Sequence, residues 1–68
     1  MKARQIQEAR RKLGLTLEQM ATLLGYQGVE RRQQANDLES GRRTIREPQR
    51  RLVEAYLEGY RPRDWPHG

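Results

Sequence analysis

Between positions 31 and 46 the chain gathers side chains suited to reading and gripping a polyanion: Arg32, Gln33, Gln34, Asn36 and Asp37, then Arg42, Arg43 and Arg46. Gln and Asn can pair bidentately with adenine, Arg with guanine, and Asp can accept from the cytosine amino group. On a helix turning about 100° per residue, with Ala35 and Leu38 facing inward, Gln33, Asn36, Asp37 and Ser40 form an outward stripe at i, i+3, i+4, i+7. Arg32 and Gln34 flank it. The bland alternative is a solvated helix face. Arg31, at the start of the segment, and Arg42, Arg43 and Arg46 after the helix are candidates for phosphate contact.

Other chemistries have little raw material. The absence of Cys removes disulfides, thiolate zinc sites and cysteine nucleophiles together. Ser40 is the only Ser, and His67, the only His, is next to last. The carboxylates are not arranged as a helix-borne metal cage or an acid and base pair. The expectation is a protein that is not an enzyme and uses no cofactor and no metal.

Charge supports a polyanionic partner. Lys and Arg number 14 against 9 Asp and Glu, a net +5, and the cations are overwhelmingly Arg, whose planar fork matches phosphate and guanine edges. Two basic blocks, residues 1–13 and 31–51, each carry +4 and flank an acidic, apolar middle. Charge runs are often no more than solvated surface; here the second block coincides with the polar stripe. Arg4, Arg11 and Lys12 in the first block can add field without specific contacts. No apolar run approaches the roughly 20 residues that span a bilayer, and the N-terminus lacks a signal-peptide core, so the chain reads as cytoplasmic with no membrane partner.

The elements that must position these residues are helices. Ile6, Ala9 and Leu13 make one apolar stripe over about Ala3–Leu13, stopped by Gly14. Thr16 with Gln19 has the capping-box pattern for a second helix, where Leu17, Met20, Ala21 and Leu24 repeat at helical spacing before Gly25. Tyr26, Gln27 and Gly28 read as a loop. A third helix runs from about Val29 or Glu30 to Glu39, with Gly41 as its stop, and its apolar stripe is thin. Pro48 suits the first turn of a fourth helix carrying Leu52, Val53, Tyr56 and Leu57 to about Glu58. The architecture is a single all-α domain over residues 1–68: four helices with a core of about 4–58 and an extended C-terminal tail, 59–68.

Two short helices with a compact turn, followed by a polar helix, have the arrangement of a helix-turn-helix. The stretch Leu13-Gly14-Leu15-Thr16-Leu17-Glu18-Gln19-Met20-Ala21-Thr22-Leu23-Leu24-Gly25, with Leu38-Glu39-Ser40-Gly41-Arg42-Arg43, resembles the phage Cro and repressor type of domain, the XRE family. The resemblance covers roughly residues 4–58. It departs in two places: Leu17 stands where members usually carry a polar residue, often Gln, and about four extra residues lie within Tyr26 to Arg31.

The resemblance implies a sequence-specific binder of double-stranded DNA, most simply a repressor on a partly palindromic operator, bound as a homodimer. The base-reading set would be Arg32, Gln33, Gln34, Asn36 and Asp37, and the phosphate set Arg31, Arg42, Arg43, Arg46 and the Thr16 N-terminus. On the angular count Arg10 and Glu39 both point partly inward, and charges aimed into a small core require partners; an Arg10 to Glu39 ion pair is expected, as the resemblance also implies. Tyr56 reads first as core packing, but the fourth-helix stripe with Tyr60 and Trp65 exceeds what so small an interior would hold, so Leu52, Val53, Tyr56, Tyr60 and Trp65 are the candidates for dimerisation. The competing reading is a protein-interaction module, of antitoxin or adaptor type, on the same scaffold. RNA binding fits less well, because no aromatic platform is evident.

Overall fold

A computed structural model describes residues 1–66. His67 and the last tail residue, Gly68, lie outside the described residues. The chain forms α1 (Ala3–Lys12), α2 (Leu17–Leu23), α3 (Arg31–Ser40) and α4 (Glu47–Leu57), with no strand among the described residues. This is the expected all-α architecture.

Glutamine recurs at the helix starts. An α-helix leaves its first amides without partners, and Gln5, Gln19 and Gln49 each stand at the third position of their helix. Their side-chain oxygens accept the N–H of Lys2 at 2.7 Å, Thr16 at 2.9 Å and Arg46 at 3.1 Å. In α2 the bond is returned: the Thr16 hydroxyl oxygen accepts from the Gln19 amide at 3.1 Å, which completes the capping box. At the far end of α3, Gly41 adopts φ +85°, a conformation open to glycine at little cost. The chain then doubles back, and the Arg43 amide donates to the Asp37 carbonyl at 3.1 Å.

The core is built from Ile6 and Ala9 of α1, Met20, Ala21 and Leu23 of α2, Ala35 and Leu38 of α3, and Val53 and Tyr56 of α4. Leu15, Leu24 and Ile45, outside the helices, are buried with them. Three of the core side chains are alanines and none is Phe, so bulk must come from elsewhere, and the indole of Trp65 brings it. Expected outside the domain core, Trp65 is only 8% exposed. Its ring meets Tyr56 edge-on, with centroids 5.2 Å apart at 66°. The Arg61 guanidinium lies 4.2 Å from the indole centroid and donates to the carbonyls of Tyr56 and Tyr60, both at 2.8 Å. A cation is thus set against the exposed carbonyls at the end of α4, where the helix dipole favours it.

This corrects the assignment of the C-terminal aromatic and apolar residues. Val53, Tyr56 and Trp65 are buried within one copy of the chain, and the tail folds back on α4. Of the five residues assigned to dimerisation, Leu52 is half-buried and Tyr60 is exposed. Leu57, expected in the helical stripe, is 42% exposed.

One ion pair ties the first and third helices. Nε of Arg10 donates to Glu39 at 2.6 Å and Nη2 at 3.2 Å, while Nη1 donates to the Leu15 carbonyl at 2.9 Å. The side chains are only 16% and 5% exposed, so each charge depends on the other for its solvation.

Two stability predictions follow from these contacts. A domain of this size is held by only about 3–10 kcal/mol in total. Arg10→Ala strands the Glu39 carboxylate and is expected to cost about 3 kcal/mol or more, read as a lowered urea midpoint by circular dichroism. The double replacement Arg10→Met with Glu39→Met should recover much of that loss; a double variant no more stable than Arg10→Ala would contradict this account. Trp65→Ala removes the indole from over Tyr56 and is expected to cost about 3 kcal/mol, whereas a tail lying free would leave the midpoint unchanged.

Candidate nucleic-acid interface

Helix α3 packs on α2 and α1 through Ala35 and Leu38, both 1% exposed. That leaves Arg32, Gln33, Asn36 and Ser40 exposed on the opposite side, with Gln34 and Asp37 half-buried at its margins. The helix turns away from water only what it needs for packing.

Gln33 also stands at the third position of its helix, yet it departs from Gln5, Gln19 and Gln49. Its Nε2 donates to Oδ1 of Asp37 at 2.9 Å. An ionised carboxylate only accepts, so the amide nitrogen must face it and the amide oxygen must face away. Oε1 of Gln33, with no described partner, is left to accept, and the second Nε2 hydrogen is left to donate. That donor and acceptor pair is what the major-groove edge of adenine requires. Asp37 therefore orients the Gln33 amide, and its own negative charge is partly answered by that donor.

The cations divide into two groups. Arg31, expected among the phosphate contacts, is held against the protein: its Nη2 pairs with Glu18 and its Nη1 donates to the Gly28 carbonyl at 2.9 Å. Its Nε is buried without a partner. The role this geometry supports is the joining of α3 to α2, a correction that follows from Glu18 standing one helical position past the N-terminus of α2. Arg50 is similarly occupied by Glu47 and Glu54, and hydrogen bonding from Arg50 holds the Glu47 carboxyl below its ordinary value.

Arg32, Arg42, Arg43 and Arg46 are exposed, and among the described residues none is paired with a carboxylate. Arg43 lies over the Tyr26 ring, 5.6 Å from its centroid, which fixes the loop after α3 against the turn before it. The Thr16 hydroxyl is exposed; its oxygen accepts from Gln19, and its proton remains available.

The turn between α2 and α3 is the feature that sequence reasoning did not resolve. It spans seven residues, 24–30, and is closed by Gly28 at φ +87° and by the Arg31 amide donating to the Gly28 carbonyl at 3.3 Å. It presents Val29, 98% exposed, beside Leu17, Arg32, Gln33 and Asn36 in one shallow cleft. A lone hydrophobic residue directly after a loop glycine belongs to no apolar stripe, and its placement relative to the polar stripe needed the geometry of the turn.

No helix among the described residues is long and apolar enough to cross a membrane, and no cluster of His, Cys, Asp and Glu among them is fit to hold a metal ion. Comparison with curated proteins and with solved structures gave no match. A family model described as helix-turn-helix matches residues 6–61, from the second turn of α1 to Arg61. With α2, α3 and α4 wholly inside that match and α1 from its second turn, and with the third helix presenting its polar face outward, the chain belongs to the XRE-type helix-turn-helix family of DNA-binding regulators.

Proposed function

We propose that this DNA-binding regulator acts as a repressor, recognising a partly palindromic operator as a homodimer and laying α3 in the major groove. The observation that carries the reading is the exposed edge of Gln33, held by Asp37 with its acceptor and one donor outward. Arg32 and Asn36 stand beside it, so guanine and adenine edges both find suitable partners. Gln34, half-buried, supports the margin of the stripe.

Arg42, Arg43 and Arg46 leave the end of α3 on the side where one strand's backbone would pass. The Thr16 hydroxyl is the candidate contact to the other strand. Phosphate contacts of this kind fix register, while the base contacts carry the sequence. The net charge of +5 adds a long-range attraction that weakens as salt rises.

Size supports two copies. The molecule measures 29 × 25 × 20 Å, less in every direction than the roughly 34 Å between successive major grooves on one face of the duplex. One copy therefore covers one half-site, and a palindrome needs a second. With Val53, Tyr56 and Trp65 inside the monomer, the apolar surface left on α4 and after it is Leu57 and Tyr60, with part of Leu52. Occupation of the operator in a promoter would then exclude polymerase without any cofactor.

Selection of bound duplexes from a random pool, at stated salt, is expected to yield a recurring half-site in inverted repeat. On that operator Gln33→Ala should cost about 1–3 kcal/mol and relax preference at one base pair. Arg42→Ala should weaken every sequence alike and reduce the slope of log affinity against log salt by about one. Equal losses for Gln33→Ala on operator and random DNA would remove Gln33 from the reading set. In sedimentation, the free chain at high concentration or the chain on operator should show two copies; one copy per operator under saturating protein would overturn the dimer.

A further inference from the structure

The cleft at the N-terminal end of α3 sets two apolar residues, Leu17 and Val29, among polar ones. Val29 is 98% exposed and Leu17 is half-buried, and the two come from different elements, the turn before α3 and the first position of α2. A single exposed apolar residue is ordinary. This pair is distinguished by what shares its cleft: Arg32, Gln33 and Asn36.

The turn adds one apolar step to the polar stripe: Val29 stands two residues before α3 begins, and the cleft sets it with Arg32, Gln33 and Asn36. Gly28, at φ +87° with nothing within 4 Å of an added Cβ, supplies the backbone conformation that places that step. The other large exposed hydrophobics, Leu57 and Tyr60, belong to α4 and the tail and do not line this cleft.

The major groove offers one apolar group to such a surface, the 5-methyl of thymine. We propose that Val29 and Leu17 form a thymine-methyl subsite, which makes Val29 a specificity-determining residue next to the adenine-reading amide of Gln33. The inference rests on the proposed docking of α3 in the major groove. It adds discrimination of thymine from cytosine by contact with the methyl, where the polar stripe alone would act through hydrogen bonds. The extra length of the turn thereby acquires a purpose: it carries Val29 to the groove.

The test replaces each thymine of the selected operator, one at a time, with deoxyuridine, which removes the methyl and leaves the pairing edge intact. Binding is measured by fluorescence anisotropy. One position per half-site should lose about fourfold in affinity, the factor equivalent to the ~0.8 kcal/mol of one buried methyl group. Val29→Ala should abolish that difference while keeping the base preference that depends on Gln33. Because Val29 is almost fully exposed, the variant should unfold at the wild-type urea midpoint. A deoxyuridine scan that is neutral throughout, with operator binding intact, overturns the subsite and leaves the regulator reading standing. So does a Val29→Ala protein that retains the full penalty. Absence of salt-dependent duplex binding by the wild type overturns both.

Discussion

The Arg10 to Glu39 pair is the constraint on which the interface depends. Glu39 lies one position past Leu38 on α3, so fixing its carboxylate fixes the rotation of that helix about its axis. Arg10 reaches from α1 to two places at once, the Glu39 carboxylate and the Leu15 carbonyl. The second bond ties the pair to the loop that starts α2. Three helices are thus referenced to one guanidinium, whose fork geometry tolerates little rotation. A helix with only Ala35 and Leu38 fully buried would otherwise be free to roll, and rolling by one residue would exchange its polar stripe for its flank.

A thin apolar stripe is the cost of a wide reading face, and the chain offsets it at both ends of α3. At the start, Arg31 joins Glu18 of α2 and the Gly28 carbonyl. At the finish, the Asp37 carbonyl takes the Arg43 amide, and Arg43 lies over Tyr26. Both ends are therefore fastened by polar contacts at the periphery, which leaves the exposed middle unencumbered. Arg10, Arg31, Arg50 and Arg61 are thus engaged within the protein, whereas Arg32, Arg42 and Arg46 around α3 face solvent with no carboxylate partner among the described residues.

The helices and their ends were legible in the sequence because they follow local rules. Gly14, Thr16 with Gln19, Gly41 and Pro48 each act on the backbone within a few residues, and the helix bounds fall within two residues of where those signals place them. The Arg10 and Glu39 pairing was readable because the angular count turned both charges toward the same small core and the family resemblance implied the same pair. Leu15, Ile45 and Trp65 were not. Each is an isolated apolar residue outside any periodic run, and burial there is decided by chain return rather than by spacing. The partners of Arg31 were hidden for the same reason: Glu18 is thirteen residues away, with the longer turn between them.

That long-range return also reshapes the expected association surface. With Trp65 excluded from the monomer, α4 would present a broad aromatic face and a second copy would be needed to cover it. With the indole seated on Tyr56 and clamped by Arg61, the domain completes its own core. Burial also pushes the Tyr56 phenol up from its ordinary value, with the Asp64 charge adding to the effect; a phenol so placed stays neutral and acts as packing. The surface left for a second copy is then small and partly polar, which suits copies that meet on a shared duplex better than an obligate dimer. Adjacent half-sites raise the local concentration of each copy for the other, so a weak protein contact suffices once DNA supplies the proximity. Under the proposed reading, discrimination would then fall to α3 and its preceding turn, where Val29, Arg32, Gln33 and Asn36 are exposed.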